Sequence, residues 1–237
     1  MEKLNSSLVN GNFSFPNDLK VQKYPGDLPE RVIQFGEGNF LRAFADWMIH
    51  LLNQQNLFNG RVVVAQPIKE GLADMVNEQD GLYTLLLRGL RDGQPVEEKE
   101  VISSISRCLN PYTQWDAYLK CAEDPLIEYV ISNTTEAGIT FDPTDKFENE
   151  PPTSYPGKLT SYLYHRFQYF KADTSKGIVI LPCELIDRNG DNLKKAVLQY
   201  AELWKLPQEF SRWVAENNHF LNTLVDRVVT GYPRDEI

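Results

Sequence analysis

The segment that most constrains the fold runs from Arg31 to Gln66. Arg31-Val32-Ile33-Gln34-Phe35 is a short apolar run that stops at Gly36, the length of a buried strand. After a sharp turn, Phe40, Leu41, Phe44, Trp47, Met48, Leu51 and Leu52 recur at spacings of three and four, which predicts one stripe of a helix ending near Asn59-Gly60. Residues 61–66, RVVVAQ, are mostly β-branched and uninterrupted, and read as a second buried strand. A helix joining two buried strands makes them parallel.

The alternation continues down the chain. Residues 83–88 and 96–108 flank Arg91-Asp92-Gly93-Gln94, whose Asp-Gly pair predicts a hairpin inserted into the pattern. A helix is predicted over 112–122, a buried strand over 127–132 and a polar loop over 133–138. The segment 142–156, with Pro143, Pro151, Pro152 and Pro156, reads as a surface loop. Then follow a helix over 159–170, a strand over 177–183, helices over 192–204 and 208–216, and a last strand over 223–230. Residues 5–20 are rich in Asn and Ser without sustained period, so residues 1–26 are read as a polar arm and 27–237 as one α/β domain. Alternating strands and helices imply a mostly parallel sheet covered on both faces. Such sheets bind ligands at the carboxyl ends of their strands, where the strand order reverses.

Composition narrows the function classes. The chain has 237 residues, 42% of them hydrophobic, enough for a sizeable core. No run approaches the ~18 uncharged apolar residues of a membrane helix, and residues 1–12 are polar, which argues against a spanning or secreted protein. Twenty-four Lys and Arg against 33 Asp and Glu give a formal charge of −9, which argues against nucleic acid as a partner. Cys108, Cys121 and Cys183 form no CxxC pair, so neither a disulfide framework nor a zinc site is expected, and a reducing cytoplasm fits. His50, His165 and His219 lack partners at metal spacing and read as solvated or packed.

The residues after each strand are the candidates for chemistry. Gly36-Glu37-Gly38, between a buried strand and a helix, allows a tight turn and lets a pyrophosphate approach the backbone at the helix start. The third glycine of GxGxxG is replaced by Leu41, although Ala43 is small, and Arg42 offers a guanidinium fork to a phosphate. The second strand ends in Gln66, an amide where an acid would hold the ribose hydroxyl. Asn133, Thr134 and Glu136 read either as groups near a nicotinamide ribose or as a loop cap. Glu184 is the first carboxylate after its strand, and Arg188 reads either as an anion receptor or as a turn salt bridge with Asp187 and Asp191. Asp226 and Arg227 are adjacent in a predicted strand and so point to opposite faces.

VIQFGEGNFLRAF at 32–44, VVVAQPI at 62–68, SNTTEAG at 132–138, PCELIDRNGDNL at 182–193 and LNTLVDRVV at 221–229 resemble the mannitol dehydrogenase family of long-chain polyol dehydrogenases. The resemblance implies a Rossmann-like domain and NAD as cofactor. It also implies hydride transfer between nicotinamide and a sugar acid, D-altronate and D-tagaturonate being interconverted in hexuronate catabolism. Carried over residue by residue, it puts the cofactor on Ile33, Gln34, Phe35, Gly36, Glu37, Gly38, Asn39, Phe40, Leu41, Arg42, Ala43 and Phe44. The adenosine side falls on Gln66, the nicotinamide side on Asn133, Thr134 and Glu136, and the substrate on Asp226 and Arg227.

Two departures accompany the resemblance. The family's CDN run has Leu185 where its Asn helps to polarise the reacting oxygen. Its Lys general base, followed by Asn and His as K-x4-N-x2-H, is absent, so no catalytic residue is expected in this chain. The chain thus reads as a cofactor-binding half that binds NAD without turnover, with an α-helical catalytic domain expected beyond it. The alternatives are another polyol or sugar-acid dehydrogenase of the family, a non-catalytic nucleotide-binding module, and a methyltransferase-like enzyme binding an adenosyl cofactor.

Overall fold

The computed structural model describes residues 3–23, 26, 28–135 and 138–232. The chain begins with helix α1 (Ser6–Asn10), capped by the Asn5 side chain on the Leu8 amide, and strand β1 (Leu19–Lys20). Next come β2 (Glu30–Phe35), α2 (Asn39–Ala43), α3 (Ala45–Gln54), β3 (Arg61–Ala65) and α4 (Ala73–Asn77). The hairpin β4 (Tyr83–Arg91) and β5 (Gln94–Ile102) leads into β6 (Ile105–Leu109), α5 (Trp115–Lys120) and β7 (Tyr129–Ser132). The last elements are α6 (Tyr155–Tyr169), β8 (Val179–Pro182), α7 (Asn189–Leu203), α8 (Gln208–Asn217) and β9 (His219–Phe220).

Six parallel strands form the main sheet in the order β6-β3-β2-β7-β8-β9. The chain builds outward from β2 through β3 to β6, then returns to the other side of β2 for β7, β8 and β9. The order therefore reverses between β2 and β7, where a doubly wound sheet opens its binding crevice. Successive strand residues face opposite cores, as the two-residue pleat requires. Ile33, Phe35, Val63 and Val130 pack with Tyr118, Leu159, Tyr162, Val197 and Phe210 on one face. Val32, Val62, Val64 and Ile131 pack with Leu41, Ile49, Val76 and Ile102 on the other.

A second sheet, β1-β5-β4, holds the predicted hairpin. Its turn at Asp92-Gly93 has both φ angles positive, 53° and 77°, as a two-residue hairpin turn demands.

Several boundaries differ from the sequence expectations. The arm carries regular structure, since β1 adds to β5 in parallel with Leu19 opposite Lys99. The run 96–108 is two strands, broken at Ser103-Ser104 so that β6 leaves the hairpin and joins β3. The helix after the glycine turn is broken at Phe44, with φ −124° and ψ −85°. Helix α6 begins inside the proline-rich segment: Ser154 caps it, and Pro156 sits in the first turn, where a missing N–H costs nothing. That segment is anchored rather than laid over the surface, since the buried Asp145 carboxylate accepts from the Thr153 and Ser154 amides. The predicted strand 223–230 pairs with no strand among the described residues. Its alternation is real, with Thr223, Val225, Arg227 and Val229 half-buried and their neighbours exposed, but it crosses the carboxyl end of the sheet instead of extending it.

Candidate functional site

The crevice between β2 and β7 is built by a glycine that no other residue replaces without strain. Gly36 has φ +117°, and a Cβ there would stand 2.7 Å from the Asn133 carbonyl oxygen, so the loops after β2 and β7 touch only because the side chain is missing. Its amide donates to the Ala65 carbonyl at 3.3 Å and its carbonyl accepts from Gln34 Nε2 at 3.0 Å, which pins the peptide on both sides. Gly38 is different: it is exposed, and nothing lies within 4 Å of where its Cβ would be. It precedes α2 without a side-chain cap, so the first-turn amides of that helix are not capped by it.

Around this turn the predicted cofactor residues divide by role. Ile33, Phe35 and Leu41 are buried in the two cores, Ala43 is buried as well, and Phe44 packs on Phe40 at 5.4 Å between ring centres. They shape the turn and leave the open face to Gly38, Asn39 and the half-buried Phe40. Arg42 reaches back to Asn39 Oδ1 at 2.6 Å and lies over the Tyr83 ring at 5.5 Å. Glu37 is buried and turned toward the β3 side, its Oε1 accepting from the Leu72 amide at 3.2 Å. Gln66 is buried too and commits its whole amide to the loop after β3. Its nitrogen donates to the Ile68 and Lys69 carbonyls, and its oxygen accepts from the Ala73 amide.

On the β7 side, Asn133 donates to the Cys183 carbonyl at 2.7 Å, tying the loop after β7 to β8. Glu184, 2% exposed, accepts from Ser132 Oγ at 3.1 Å and from the Thr134 amide and hydroxyl at 3.0 Å each. Burial raises its carboxyl above the ordinary value, against the pull of these hydrogen bonds. Glu184 and Thr134 therefore act together to shape the crevice wall. Glu136 lies outside the described residues.

The segment 221–232 closes the other rim. Asn189, fully buried, is its anchor: Nδ2 donates to the Pro182 and Glu184 carbonyls and to Thr223 Oγ1, and Oδ1 accepts from the Thr223 amide. The backbone enters this helix through Arg188 in the left-handed region, φ 52°, and Arg188 pairs with Asp191 at 2.7 Å, the turn salt bridge among the two readings of that residue. Farther on, the Arg227 guanidinium lies 4.5 Å over the Trp47 ring, while Asp226 points to solvent. Adjacent residues do face opposite ways, as the pleat requires. Gly231 ends the crossing beside Asn39. Leu185 is 67% exposed at the same end of the sheet.

The remaining polar residues stand elsewhere. His50 is packed, its Nδ1 accepting from the Ser103 amide at 3.3 Å and its Nε2 facing Glu100 at 3.3 Å. Burial pushes the thiols of Cys108 and Cys183 up to about 12, so both are inert at neutral pH. The sequence reading missed Asp46 and Asn189. Asp46 carries a signal in retrospect, an acid beside Ala45 and Ile49 on the inward face of its helix, whereas Asn189 in Arg188-Asn189-Gly190 looks like any turn residue.

The family model for the mannitol dehydrogenase Rossmann domain matches residues 30–236. The altronate oxidoreductase of Bacteroides thetaiotaomicron is 56% identical over 218 residues, 92% of this chain and 44% of that protein. That of Bacillus subtilis is 51% identical over 209 residues, 88% of this chain and 44% of the relative. The chain thus spans less than half the length of these relatives. Among solved structures, the Pseudomonas fluorescens mannitol 2-dehydrogenase ternary complex with NAD and D-mannitol superposes with a TM-score of 0.78 at 23% identity, over 96% of this chain and 47% of the other. With nearly all of its sequence from β2 onward matched by the family's Rossmann domain, the chain belongs to the mannitol dehydrogenase family.

Proposed function

We propose that this chain is the NAD-binding domain of an oxidoreductase that interconverts D-altronate and D-tagaturonate. The observation that carries the reading is the crevice itself: loops after β2 and β7 in contact at Gly36 and Asn133, with Gly38 open beside them. That geometry fits a dinucleotide, because the exposed backbone at Gly38 admits a pyrophosphate that a Cβ would obstruct. The altronate oxidoreductases, at 50–56% identity, support the substrate class.

In this reading residues 36–44 receive the pyrophosphate and Asn133, Thr134 and Glu136 the nicotinamide side. The adenosine side meets the loop that Gln66 knits together, with the Gln66 amide acting through that loop. NAD, when bound, supplies the hydride acceptor. Asp226 and Arg227 are the candidates for the sugar acid on the rim; because they face opposite ways, with Arg227 over Trp47 and Asp226 exposed, at most one of them enters a given pocket. Residues 27–237 form the cofactor domain and 1–26 an arm. The proton from the substrate hydroxyl goes to a base on a second, α-helical domain, the counterpart of the remaining length of the relatives. Three free, buried cysteines are consistent with a cytoplasmic site of action, and no helix among the described residues is long and apolar enough to cross a membrane.

The test is an altronate-dependent NADH assay on the 237-residue chain alone and on the chain joined to the C-terminal half of a close relative. The expected result is NAD binding without turnover alone and turnover when joined; turnover by the chain alone contradicts the assignment of the base.

A further inference from the structure

Beneath the glycine turn lies a polar pair: Gln34, which the resemblance counts among the cofactor residues but which is too deeply buried to touch a ligand, and Asp46, to which it gives no role. Gln34 and Asp46 both have zero exposure. Gln34 Nε2 donates to the Gly36 carbonyl at 3.0 Å and to Asp46 Oδ2 at 3.2 Å, spending both its hydrogens. The Gly36 carbonyl can only accept, which fixes the orientation of the amide. Asp46 Oδ1 and Gln34 Oε1 have no hydrogen-bond partner among the described residues, so there the pair is held from one side only, by the turn itself.

We propose that Asp46 is a positioning residue for the dinucleotide turn: its carboxyl holds the Gln34 amide, and that amide holds the Gly36 carbonyl at the head of the turn. The inference rests on the dinucleotide reading above and deepens it, because it makes cofactor affinity depend on the state of one buried acid.

Burial drives the Asp46 carboxyl up to about 7, against the Gln34 hydrogen bond and the Arg42 charge. The groups facing it are Arg42 on α2, Tyr83 on β4 and Cys108 on β6. The Tyr83 hydroxyl donates to the Arg42 carbonyl at 2.6 Å, and both Tyr83 and Cys108 are raised by burial first and by the Asp46 charge second, so Arg42 is the cation among them. At neutral pH the acid and the carboxylate are both populated. The carboxylate would stand behind the turn that receives an anionic pyrophosphate, with little water between to screen it, so bound NAD favours the neutral acid. Affinity therefore falls as pH rises through the value of this group.

Calorimetric titration of the 237-residue protein with NAD at about pH 6 and about pH 8.5 tests this. Wild-type protein is expected to bind about tenfold more weakly at the higher pH. Asp46→Asn keeps an acceptor for Gln34 and cannot ionise, so it is expected to match the low-pH wild-type affinity at both values. Gln34→Met removes the link and is expected to lose about tenfold at both, whatever the state of Asp46. An Asp46→Asn protein with the wild-type pH profile, a wild-type affinity flat between the two pH values, or a Gln34→Met protein that binds like wild type overturns the inference. Wild-type protein that takes up no NAD at either pH overturns the dinucleotide reading, and this inference with it.

Discussion

Lys158 has zero exposure, with Nζ donating to the Thr153 carbonyl at 2.7 Å and to the Tyr112 hydroxyl at 3.2 Å. Burial brings its ammonium group down to about 8. Folding thus releases the proton that the unfolded chain keeps up to its ordinary value near 10.5. Between those values the unfolded state binds more protons, so stability rises with pH, by on the order of 3 kcal/mol across the window. The buried thiols and phenols pull stability the other way above about pH 9 but are common to both proteins, so urea unfolding at the two ends of the window is expected to show the stability of wild type relative to Lys158→Met rising by about this amount. The two glycines of the turn separate fold from binding. Gly36→Ala is expected to cost about 1–3 kcal/mol, because its backbone conformation and the Asn133 carbonyl both oppose a Cβ. Gly38→Ala is expected to leave stability within about 0.5 kcal/mol while weakening NAD binding, since the methyl group enters open space. Thermal melts and NAD titrations on the two variants check the contrast. The glycines were legible because residue type and position between strand and helix suffice. Asp46 and Lys158 were not, because their chemistry comes from depth, and depth follows from which face the long-range packing covers.

At the scale of elements, the buried strands were the most legible part of the chain: apolar on both faces, they stand within two or three residues of the predicted places. The errors fall where one local pattern serves two partners. Residues 96–108 read as one strand, but the Ser103-Ser104 break hands the chain from the hairpin to the main sheet, which only the tertiary pairing decides. The segment 221–230 has the alternation of a strand and half-buries every second residue, yet it lies across strand ends, held by Asn189 and by the contact of Arg227 with Trp47. Asn189→Ala should therefore act on this crossing before anything else. It leaves the Thr223 amide without its acceptor and takes the Asn189 donor from the Pro182 and Glu184 carbonyls, the former keeping the Thr223 hydroxyl, a loss of about 1–3 kcal/mol. Amide hydrogen exchange is expected to quicken over 221–230 while β2, β3 and β7 stay protected; uniform loss of protection would mean that Asn189 supports the whole fold instead.

On the scale of the whole molecule, the strand order explains why chemistry scattered over 200 residues meets in one place. Residues 36–44, 133–135 and 221–231 follow strands β2, β7 and β9, and a sheet that reverses between β2 and β7 delivers all three to its carboxyl end. The net charge of −9 leaves an anionic cofactor dependent on local backbone amides and on Arg42. Cavities of about 510 and 300 Å³ are lined by Trp47, Gln54 and Glu100 and by His50, Asn53 and Ser103, and of these residues only Trp47, under Arg227, belongs to the crevice. The most direct test is a titration of isotope-labelled protein with NAD, followed by amide NMR shifts. Saturable shifts are expected, concentrated on residues 36–44 and 133–135, with smaller ones along 221–231. Shifts centred on α3 and the hairpin, or none at all, would contradict the dinucleotide reading.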